Sequence, residues 1–510
     1  MIRITTALVF LAIQLMPAIA AESDTRQRIE ADIRFLADDL LEGRGTPGRG
    51  LDIAALFLAE SLRAAGFEPG MGDSYLQPYR VGEYNPADTK FTVTLGGTTL
   101  SEDEFILILL GMSPDRSPLT ASLVFAGLGV VNATQGMDPY GDMDLTGKAV
   151  VSVLGAPWDL DPQVPFGYDR AVGKSIEATI RNAELLVYVS EELFGDSEPP
   201  SGEVVLFNEM AMVPVAYLVD SEIDSTMGLG PIVTISPAAF DRALGETVGS
   251  TYAEIRASGD NGPARGLDAI IELTIETDAS IGRASNVVGL LRGADLQLAS
   301  EWIVLTAHYD HLGVNPEPRE GEDGIWNGAD DNASGTAALL EIARRLGQNP
   351  PARSVMMLFV SGEERGLLGS AYYSQNPVIP YSDLIVDVNV DMVGRSTGSV
   401  QGIVAGSPEL FEKARSLGEE IGIEVVPDQQ PSWRLSYLTD SYHFDRFDVP
   451  AIHFFTGLHP DYHQPSDEPD TIRFEELGQI LEIMYLLTLH YAEGGERPDY
   501  HRPAWFLTPD

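Results

Sequence analysis

The chain has 510 residues, more than one ordinary domain holds, and 44% of them are hydrophobic, which is ample for large buried cores. Lysine and arginine total 32 against 77 acidic residues, and the resulting net charge of −45 repels nucleic acid and anionic membrane surfaces, so we expect neither as a partner. The chain has no cysteine, which excludes disulfides, thiolate metal sites and cysteine nucleophiles.

The first 20 residues have the pattern of a secretory signal peptide. Arg3 supplies a short positive region, residues 4–16 are largely apolar, and Ala18-Ile19-Ala20 is a small-x-small cleavage site. The apolar run is too short to cross a membrane. We therefore predict cleavage after Ala20 and export to the periplasm or the extracellular space, with no membrane anchor in the mature chain.

The texture of the remaining chain changes twice. Residues 21–89 begin with apolar residues at helical spacing, interrupted by the loop EGRGTPGRG. Residues 90–265 contain short apolar runs separated by Gly, Pro and Asp turns, which predicts an inserted β-rich domain. Strands and helices follow in residues 266–495, and we predict an extended tail at 496–510.

The segment 302–391 contains three apolar, β-rich runs, each followed by a possible metal ligand. These residues are His308 and Asp310 after the first run, Glu363 and Glu364 after the second, and Asp391 after the third. Parallel strands in an α/β sheet present their carboxyl ends to a common crevice. We therefore predict a mixed, mainly parallel sheet flanked by helices, with a site at this edge.

The ligand types in this segment suit a hard divalent cation. Imidazole and carboxylates without thiolate favour zinc, with manganese or cobalt as substitutes. Asp310 lies two residues after His308, on the same side of an extended chain, where it could accept the second ring N–H of the ligating histidine. The same alternation directs His311 to the opposite side, so it is not expected to be a ligand.

Asp330, Asp331 and Asn332 immediately precede a segment with good helical periodicity. Asp and Asn are preferred helix N-cap residues, which is the simpler interpretation. Two adjacent carboxylates exceed what one cap requires, and a carboxylate shared by two cations is the functional alternative.

Glu363 and Glu364 have two interpretations as well. Acidic residues are common in the first turn of a helix, where they face solvent. At the mouth of a metal crevice, one glutamate could hold a cation while the other takes a proton from a metal-bound water. Asp391 has no such ordinary explanation, because a carboxylate ending an apolar strand is costly to bury unless it is paired or metal-bound.

A second imidazole must come from further along the chain, because all eight histidines lie beyond residue 307. His453 lies inside an apolar strand and is predicted to be a core residue. His459 and His463 lie in the following loop, and we favour His463 because acidic residues such as Asp467 follow it as possible hydrogen-bond partners.

Five blocks together resemble the di-zinc exopeptidase family that includes bacterial leucyl aminopeptidase, aminopeptidase Y and glutamate carboxypeptidase. They are AHYDHLG, NGADDNASG, SGEERGLLGS, NVDMVG and DYHQPSDEPDTI, and they occur in the family's order. The resemblance implies the zinc exopeptidase (phosphorylase/hydrolase-like) α/β fold. LVFAGLGVV and DPYGDMDLTGKAVVSVLG are similar to the protease-associated domain inserted in many members.

The resemblance also implies a role for each site residue. Two Zn²⁺ ions would be held by His308 and Asp391 on one side and by Glu364 and His463 on the other, with Asp331 bridging. Catalytic roles fall on Glu363, as general acid and base, and on Asp310. In this family the bridging aspartate precedes a cis peptide, so the Asp331–Asn332 bond is predicted to be cis.

The implied function is a secreted, zinc-dependent aminopeptidase that hydrolyses N-terminal residues from peptides by means of a metal-bridged water. One alternative is a carboxypeptidase of the glutamate-releasing kind, which needs cationic side chains to bind a substrate carboxylate. The candidates are Arg365, Arg395, Arg434 and Arg446. The other alternative is an inactive binding ectodomain, which is disfavoured because every ligand and the base are present.

Overall fold

The computed structural model describes residues 24–503 except 110, 133–134, 156, 158–170, 195–214, 220–229, 316–317, 319–320, 322 and 430–434. The predicted signal peptide at 1–20 and the end of the predicted tail therefore lie outside the described residues. Within the described ranges, no helix combines the length and the apolar character that crossing a membrane requires.

The α-helices of the described residues are numbered α1 to α10 in chain order. Helix α1 covers residues 24–36. The others are α2 Arg49–Ala64, α3 Ala171–Thr179, α4 Pro237–Val248, α5 Tyr252–Ser258, α6 Gly335–Gln348, α7 Leu368–Gln375, α8 Pro408–Ile421, α9 Tyr442–Asp445 and α10 Phe474–Ala492.

The strands are numbered in the same way. Strands β1 to β10 are Glu68–Pro69, Leu76–Tyr84, Lys90–Leu95, Thr98–Thr99, Phe105–Ile108, Leu119–Phe125, Lys148–Val153, Leu185–Val189, Val215–Leu218 and Ile232–Ile235. Strands β11 to β20 are Arg265–Glu276, Ser280–Leu291, Trp302–His308, Gly313–Val314, Ile325–Trp326, Ser354–Val360, Leu384–Val390, Ser399–Ile403, Glu424–Val426 and Ala451–Phe455.

The larger sheet has the strand order β19-β18-β20-β17-β13-β16-β12-β2-β9, with β1 paired to β12. Its centre is parallel, because β13 pairs in parallel with both β16 and β17, and β17 with β20. The flank formed by β12, β2 and β9 is antiparallel. The prediction of a mixed α/β fold with flanking helices is confirmed. The sheet is not mainly parallel, however, because four of its strand pairings among the described residues are parallel and five are antiparallel.

Helices cover both faces of this sheet, as the alternation of side chains along β13 shows. Ile303 and Leu305 are buried in a core shared with α2, α6, α8 and α10. Trp302 and Val304 point the other way, into a second core that includes Tyr373 of α7. Because both faces are covered, the central strands are mostly apolar along their whole length, which is typical of buried parallel strands.

The segment predicted to be a β-rich insertion forms most of a second sheet, in the order β4-β3-β11-β6-β7-β8-β10-β5. Two strands depart from the expected division at residue 265. Strand β9 lies in the larger sheet against β2, and β11, which extends to Glu276, lies in the second sheet. The chain therefore returns to the larger sheet after residue 276. The assignment of this segment to a protease-associated domain stays a prediction.

Candidate metal centre

The carboxyl ends of three adjacent parallel strands bring the predicted site residues together. His308 is the last residue of β13, Glu363 and Glu364 follow β16, and Asp391 directly follows β17. Asp331 lies in an irregular helical turn, Ala329–Ser334, immediately before α6. The residues that the sequence indicated therefore lie together at the edge of the α/β sheet where a ligand site is expected.

Asp331 lies between two pairs, each made of a histidine and a carboxylate. On one side, Nε2 of His308 is 3.1 Å from Oδ1 of Asp391 and 3.3 Å from Oδ1 of Asp331. On the other side, Nε2 of His463 is 3.1 Å from Oε2 of Glu364 and 3.2 Å from Oδ2 of Asp331. The two oxygens of Asp331 thus face different pairs, which is the arrangement that a bridging ligand requires.

The donor set fits a pair of divalent cations. His308 and Asp331 are 1% and 3% exposed, so their charges are almost wholly removed from water. Buried carboxylates packed against one another are costly unless cations compensate them. Two imidazoles and three carboxylates, without thiolate, are suitable ligands for zinc. The residues His308, Asp331, Asp391, Glu364 and His463 would hold it.

Backbone contacts fix the position of the bridging carboxylate. Asp467 accepts hydrogen bonds from the backbone N–H groups of Asp330 and Asp331 at 3.0–3.1 Å. Nδ2 of Asn332 donates to the carbonyl oxygen of Val390 at 2.9 Å, next to Asp391. Asp467 therefore supports the Asp331 loop, whereas the sequence had suggested it as a partner of the late histidine.

The two adjacent aspartates have separate roles. Asp330 accepts hydrogen bonds from the backbone N–H of Gly394 at 2.6 Å and from the Ser334 hydroxyl at 3.0 Å. It also lies 3.2 Å from Nε2 of His459. Asp330 thus satisfies local polar groups, and Asp331 faces the cluster. The Asp331–Asn332 peptide is cis, as predicted.

The adjacent glutamates have opposite electrostatic environments. Burial raises the pKa of the Glu363 carboxyl well above its usual range, and the nearby Glu364 charge adds to the effect. Burial and the charge of Asp331 also act to raise the pKa of the Glu364 carboxyl. His463 and His311 outweigh them and lower this pKa to about 2. Glu364 is thus held ionised as a ligand would be, while Glu363 is suited to carry a proton.

Asp310 lies close to His308, but the predicted hydrogen bond between them is not formed. Nδ1 of His308 is 3.7 Å from Oδ1 of Asp310, which is within ion-pair range but too long for a hydrogen bond. Asp310 instead accepts from the Thr46 hydroxyl at 3.1 Å and from the Glu363 backbone N–H at 3.2 Å. Its carboxylate therefore links the ends of two strands.

The prediction that His311 faces away from the site is wrong. Its Nδ1 lies 2.6 Å from Oε1 of Glu364 and 3.8 Å from Oδ2 of Asp331. The alternation used to exclude it applies only to an extended strand, and β13 ends at His308. Its place in the AHYDHLG block, three residues after a ligand candidate, is the signal that could have retained it.

A mixed α/β domain with a cluster of histidines and carboxylates at the carboxyl edge of its sheet is typical of metal-dependent hydrolases. Residues 286–488 match the family model of Peptidase family M28.

Known relatives are similar over part of the chain. Aminopeptidase YwaD of Bacillus subtilis (strain 168) is 25% identical over 242 residues, covering 44% of this chain and 49% of the relative. A probable zinc metalloprotease of Pyrenophora teres f. teres (strain 0-1) is 27% identical over 229 residues, covering 44% of each chain. The chain thus spans about half the length of these curated relatives.

A solved structure supports the fold over nearly the whole chain. The aminopeptidase from Aneurinibacillus sp. strain AM-1 superposes with a TM-score of 0.52 at 18% identity, covering 94% of this chain and 97% of that one. At this identity the similarity establishes the fold alone, so the activity is inferred from the site.

Proposed function

We propose that this chain is an exported, zinc-dependent aminopeptidase that releases N-terminal residues from peptides. The observation that carries the proposal is the position of Asp331 between the His308–Asp391 and His463–Glu364 pairs. Such a bridge is the basis of two-metal hydrolytic sites. The names of the relatives, an aminopeptidase and a zinc metalloprotease, agree with this chemistry.

Zinc held by these residues would supply Lewis-acid chemistry, which makes a water easier to deprotonate and polarises the scissile carbonyl. Glu363 lies beside the ligands, and burial raises the pKa of its carboxyl, which favours uptake of a proton from the attacking water. The same carboxyl would then deliver that proton to the leaving amine. Asp310 accepts the Glu363 backbone N–H and would keep the glutamate in place.

The arginines near the site favour an aminopeptidase over a carboxypeptidase. Nη2 of Arg395 already forms an ion pair with Asp461 at 2.6 Å, and Nη2 of Arg365 lies 3.9 Å from Glu83. Arg446 stacks over the aromatic rings of Tyr442 and Phe447, and Arg434 lies outside the described residues. A free amino group, in contrast, suits the surplus of carboxylates in the crevice.

The carboxypeptidase alternative has one specific observation in its favour. A probable glutamate carboxypeptidase of Zea mays is 27% identical over 214 residues. An inactive binding protein is less well supported, because the predicted ligands and Glu363 lie close together at one edge of the sheet.

A panel of substrates distinguishes these functions. Purified mature protein is assayed with zinc on aminoacyl-p-nitroanilides and on N-blocked peptides with free C-termini, each with and without chelator. The proposal expects chelator-sensitive turnover of the free-amino substrates only. Turnover of the blocked peptides alone would indicate a carboxypeptidase, and silence on both with two bound zinc ions would indicate a binding protein.

Export is part of the proposal and has its own test. The charged, apolar and small-x-small segments of residues 1–20 support removal of a signal peptide. Expression in a bacterial host followed by fractionation should recover the protein outside the cytoplasm, with Ala21 as its first residue. Intact Met1 on cytoplasmic protein would contradict export.

A further inference from the structure

Arg44 is a fully buried arginine next to the metal-ligand cluster, with 1% of its surface exposed. Its Nε donates to the carbonyl oxygen of Tyr309 at 2.9 Å, and its Nη2 donates to that of Gly328 at 2.9 Å. Nη1 donates to the carbonyl oxygen of Asn327 at 2.7 Å and to that of Leu36. The guanidinium is therefore hydrogen-bonded to backbone carbonyls from three separate segments of the chain.

Two of these segments carry proposed metal ligands. Tyr309 directly follows His308, and residues 327–328 lead into the turn that presents Asp331. The planar, forked donors of one arginine thus join the loop after β13 to the loop before α6. A guanidinium is well suited to this task because its donors are fixed relative to one another.

The backbone on either side of Arg44 is attached to the same loop. The carbonyl oxygen of Arg44 accepts the His311 N–H at 3.3 Å, and the Thr46 hydroxyl donates to Asp310 at 3.1 Å. Gly43 has φ of +59°, and a Cβ at that position would lie 2.4 Å from two carbonyl oxygens of the facing segments. The arginine is therefore held from both sides and has little freedom to move.

The charge of Arg44 faces the acidic ligands without contacting them directly. Burial lowers the pKa of Arg44 to about 10, and the carboxylates of Asp310, Asp331, Asp467 and Glu364 act against that shift. The group therefore remains protonated at neutral pH. Its hydrogen bonds go to the peptide backbone, so it orients the ligand loops instead of competing with a cation for the carboxylate oxygens.

We propose that Arg44 is a positioning residue of the metal centre, whose buried guanidinium fixes the separation between the loop that carries His308 and the loop that carries Asp331. The inference rests on the proposed two-metal site and adds a residue outside the matched family segment, 286–488. Without the hydrogen bonds of the Arg44 guanidinium, the mutually repelling carboxylates would move apart before a cation binds.

The test compares Arg44→Lys and Arg44→Gln with the wild-type mature protein. Lysine keeps the positive charge but lacks the planar fork, so it isolates the effect of geometry. We expect both variants to bind zinc at least about tenfold more weakly in chelator competition, as when a residue that supports a metal ligand is lost. We also expect a changed visible spectrum of the Co²⁺-substituted protein, which reports ligand geometry.

Arg353→Lys is the matched control. Arg353 is 7% exposed and donates to the carbonyl oxygens of Tyr491 and Gly495, but it lies just before β16, at the end of that strand opposite the site. This control should lose thermal stability and keep the zinc affinity and the Co²⁺ spectrum of the wild type.

Two outcomes would overturn the inference. One is Arg44→Lys with zinc affinity within about twofold of the wild type and an unchanged Co²⁺ spectrum; the other is an equal loss of affinity in Arg353→Lys. If Arg44→Gln does not fold, Arg44→Lys, the milder change, decides. Failure of the wild type itself to bind zinc would instead contradict the proposed function.

Discussion

Oδ2 of Asp331 lies 3.2 Å from Nε2 of His463, although the two residues are far apart in the sequence. Asp331 lies in the turn immediately before α6, whereas His463 lies in the loop that follows β20. Closure of the site therefore depends on the whole sheet being formed. We expect substitutions of residues that hold a cation to remove zinc, and substitutions of residues that only surround the site to leave zinc bound.

Glu363→Gln should retain both zinc ions and lose most turnover. Glu363 lies beside the ligands with the pKa of its carboxyl raised by burial, so the amide removes a proton acceptor without removing a ligand. General acid–base catalysis typically contributes about 10²- to 10⁴-fold to the rate. Zinc content by elemental analysis and kcat on an aminoacyl-p-nitroanilide measure the two effects. Glu364→Gln is the comparison and should lose zinc; equal zinc loss in both variants would refute the distinct roles.

His463→Ala should lower the zinc content from two ions to one. Its Nε2 lies within 3.2 Å of both Glu364 and Asp331. His459→Ala should keep both ions, because His459 contacts Asp330, which Ser334 and Gly394 also hold. Metal analysis after dialysis against trace chelator distinguishes the two. The assignment fails if His459→Ala loses an ion and His463→Ala does not.

His311→Leu should weaken zinc binding although His311 was not predicted to be near the site. Nδ1 of His311 lies 2.6 Å from Oε1 of Glu364 and would orient that carboxylate. Loss of such a supporting contact typically costs about 10- to 100-fold in metal affinity. His311→Asn, whose amide can replace Nδ1, should restore part of the loss in chelator competition. Unchanged affinity in the leucine variant would mean that the contact has no role in metal binding.

The free energy of unfolding of Asp387→Asn, relative to that of the wild type, should increase as pH rises. Asp387 is fully buried on β17, where one carboxylate oxygen accepts from the Thr306 hydroxyl at 2.9 Å, and burial raises its pKa well above the usual range. The folded state favours the protonated Asp387 carboxyl. The stability that this carboxyl contributes is therefore fully present below its unfolded pKa of about 4 and is lost as pH rises through its folded pKa. Asparagine cannot ionise and avoids that loss.

Urea unfolding at several values between pH 5 and pH 8 measures this effect. The free energy of unfolding of Asp387→Asn minus that of the wild type should grow across this range. Asp268→Asn, at an exposed position on β11, is measured in parallel as the surface control. A constant difference for Asp387→Asn across this range would contradict a raised pKa in the folded state.

The regular elements around the site could be predicted from the sequence because their periodicity is strong. Apolar spacing predicts a helix over 408–421 and another over about 474–491, and the structure has helices at Pro408–Ile421 and Phe474–Ala492. His308 and Asp391 could likewise be placed at one edge, because each follows an apolar strand and neighbouring parallel strands end together.

Other features depend on contacts that no local pattern records. The strand β11 alternates like any half-buried strand, so the sequence does not indicate which of the two sheets it joins. Asp330 has a different role from Asp331 because Gly394 and Ser334 donate hydrogen bonds to Asp330. Arg44, in the loop EGRGTPGRG, acquires its position from backbone carbonyls on three segments, and those carbonyls have no signature in the side-chain sequence.

The most direct test of the proposed two-zinc aminopeptidase activity is a zinc titration of metal-free mature protein, with release of p-nitroaniline from a free-amino leucyl substrate as the readout. We predict no turnover without metal and full turnover at two equivalents of zinc per chain, with an N-blocked substrate inert throughout. Full turnover in the metal-free protein, or zinc binding that restores no cleavage of the free-amino substrate, would contradict the proposed function.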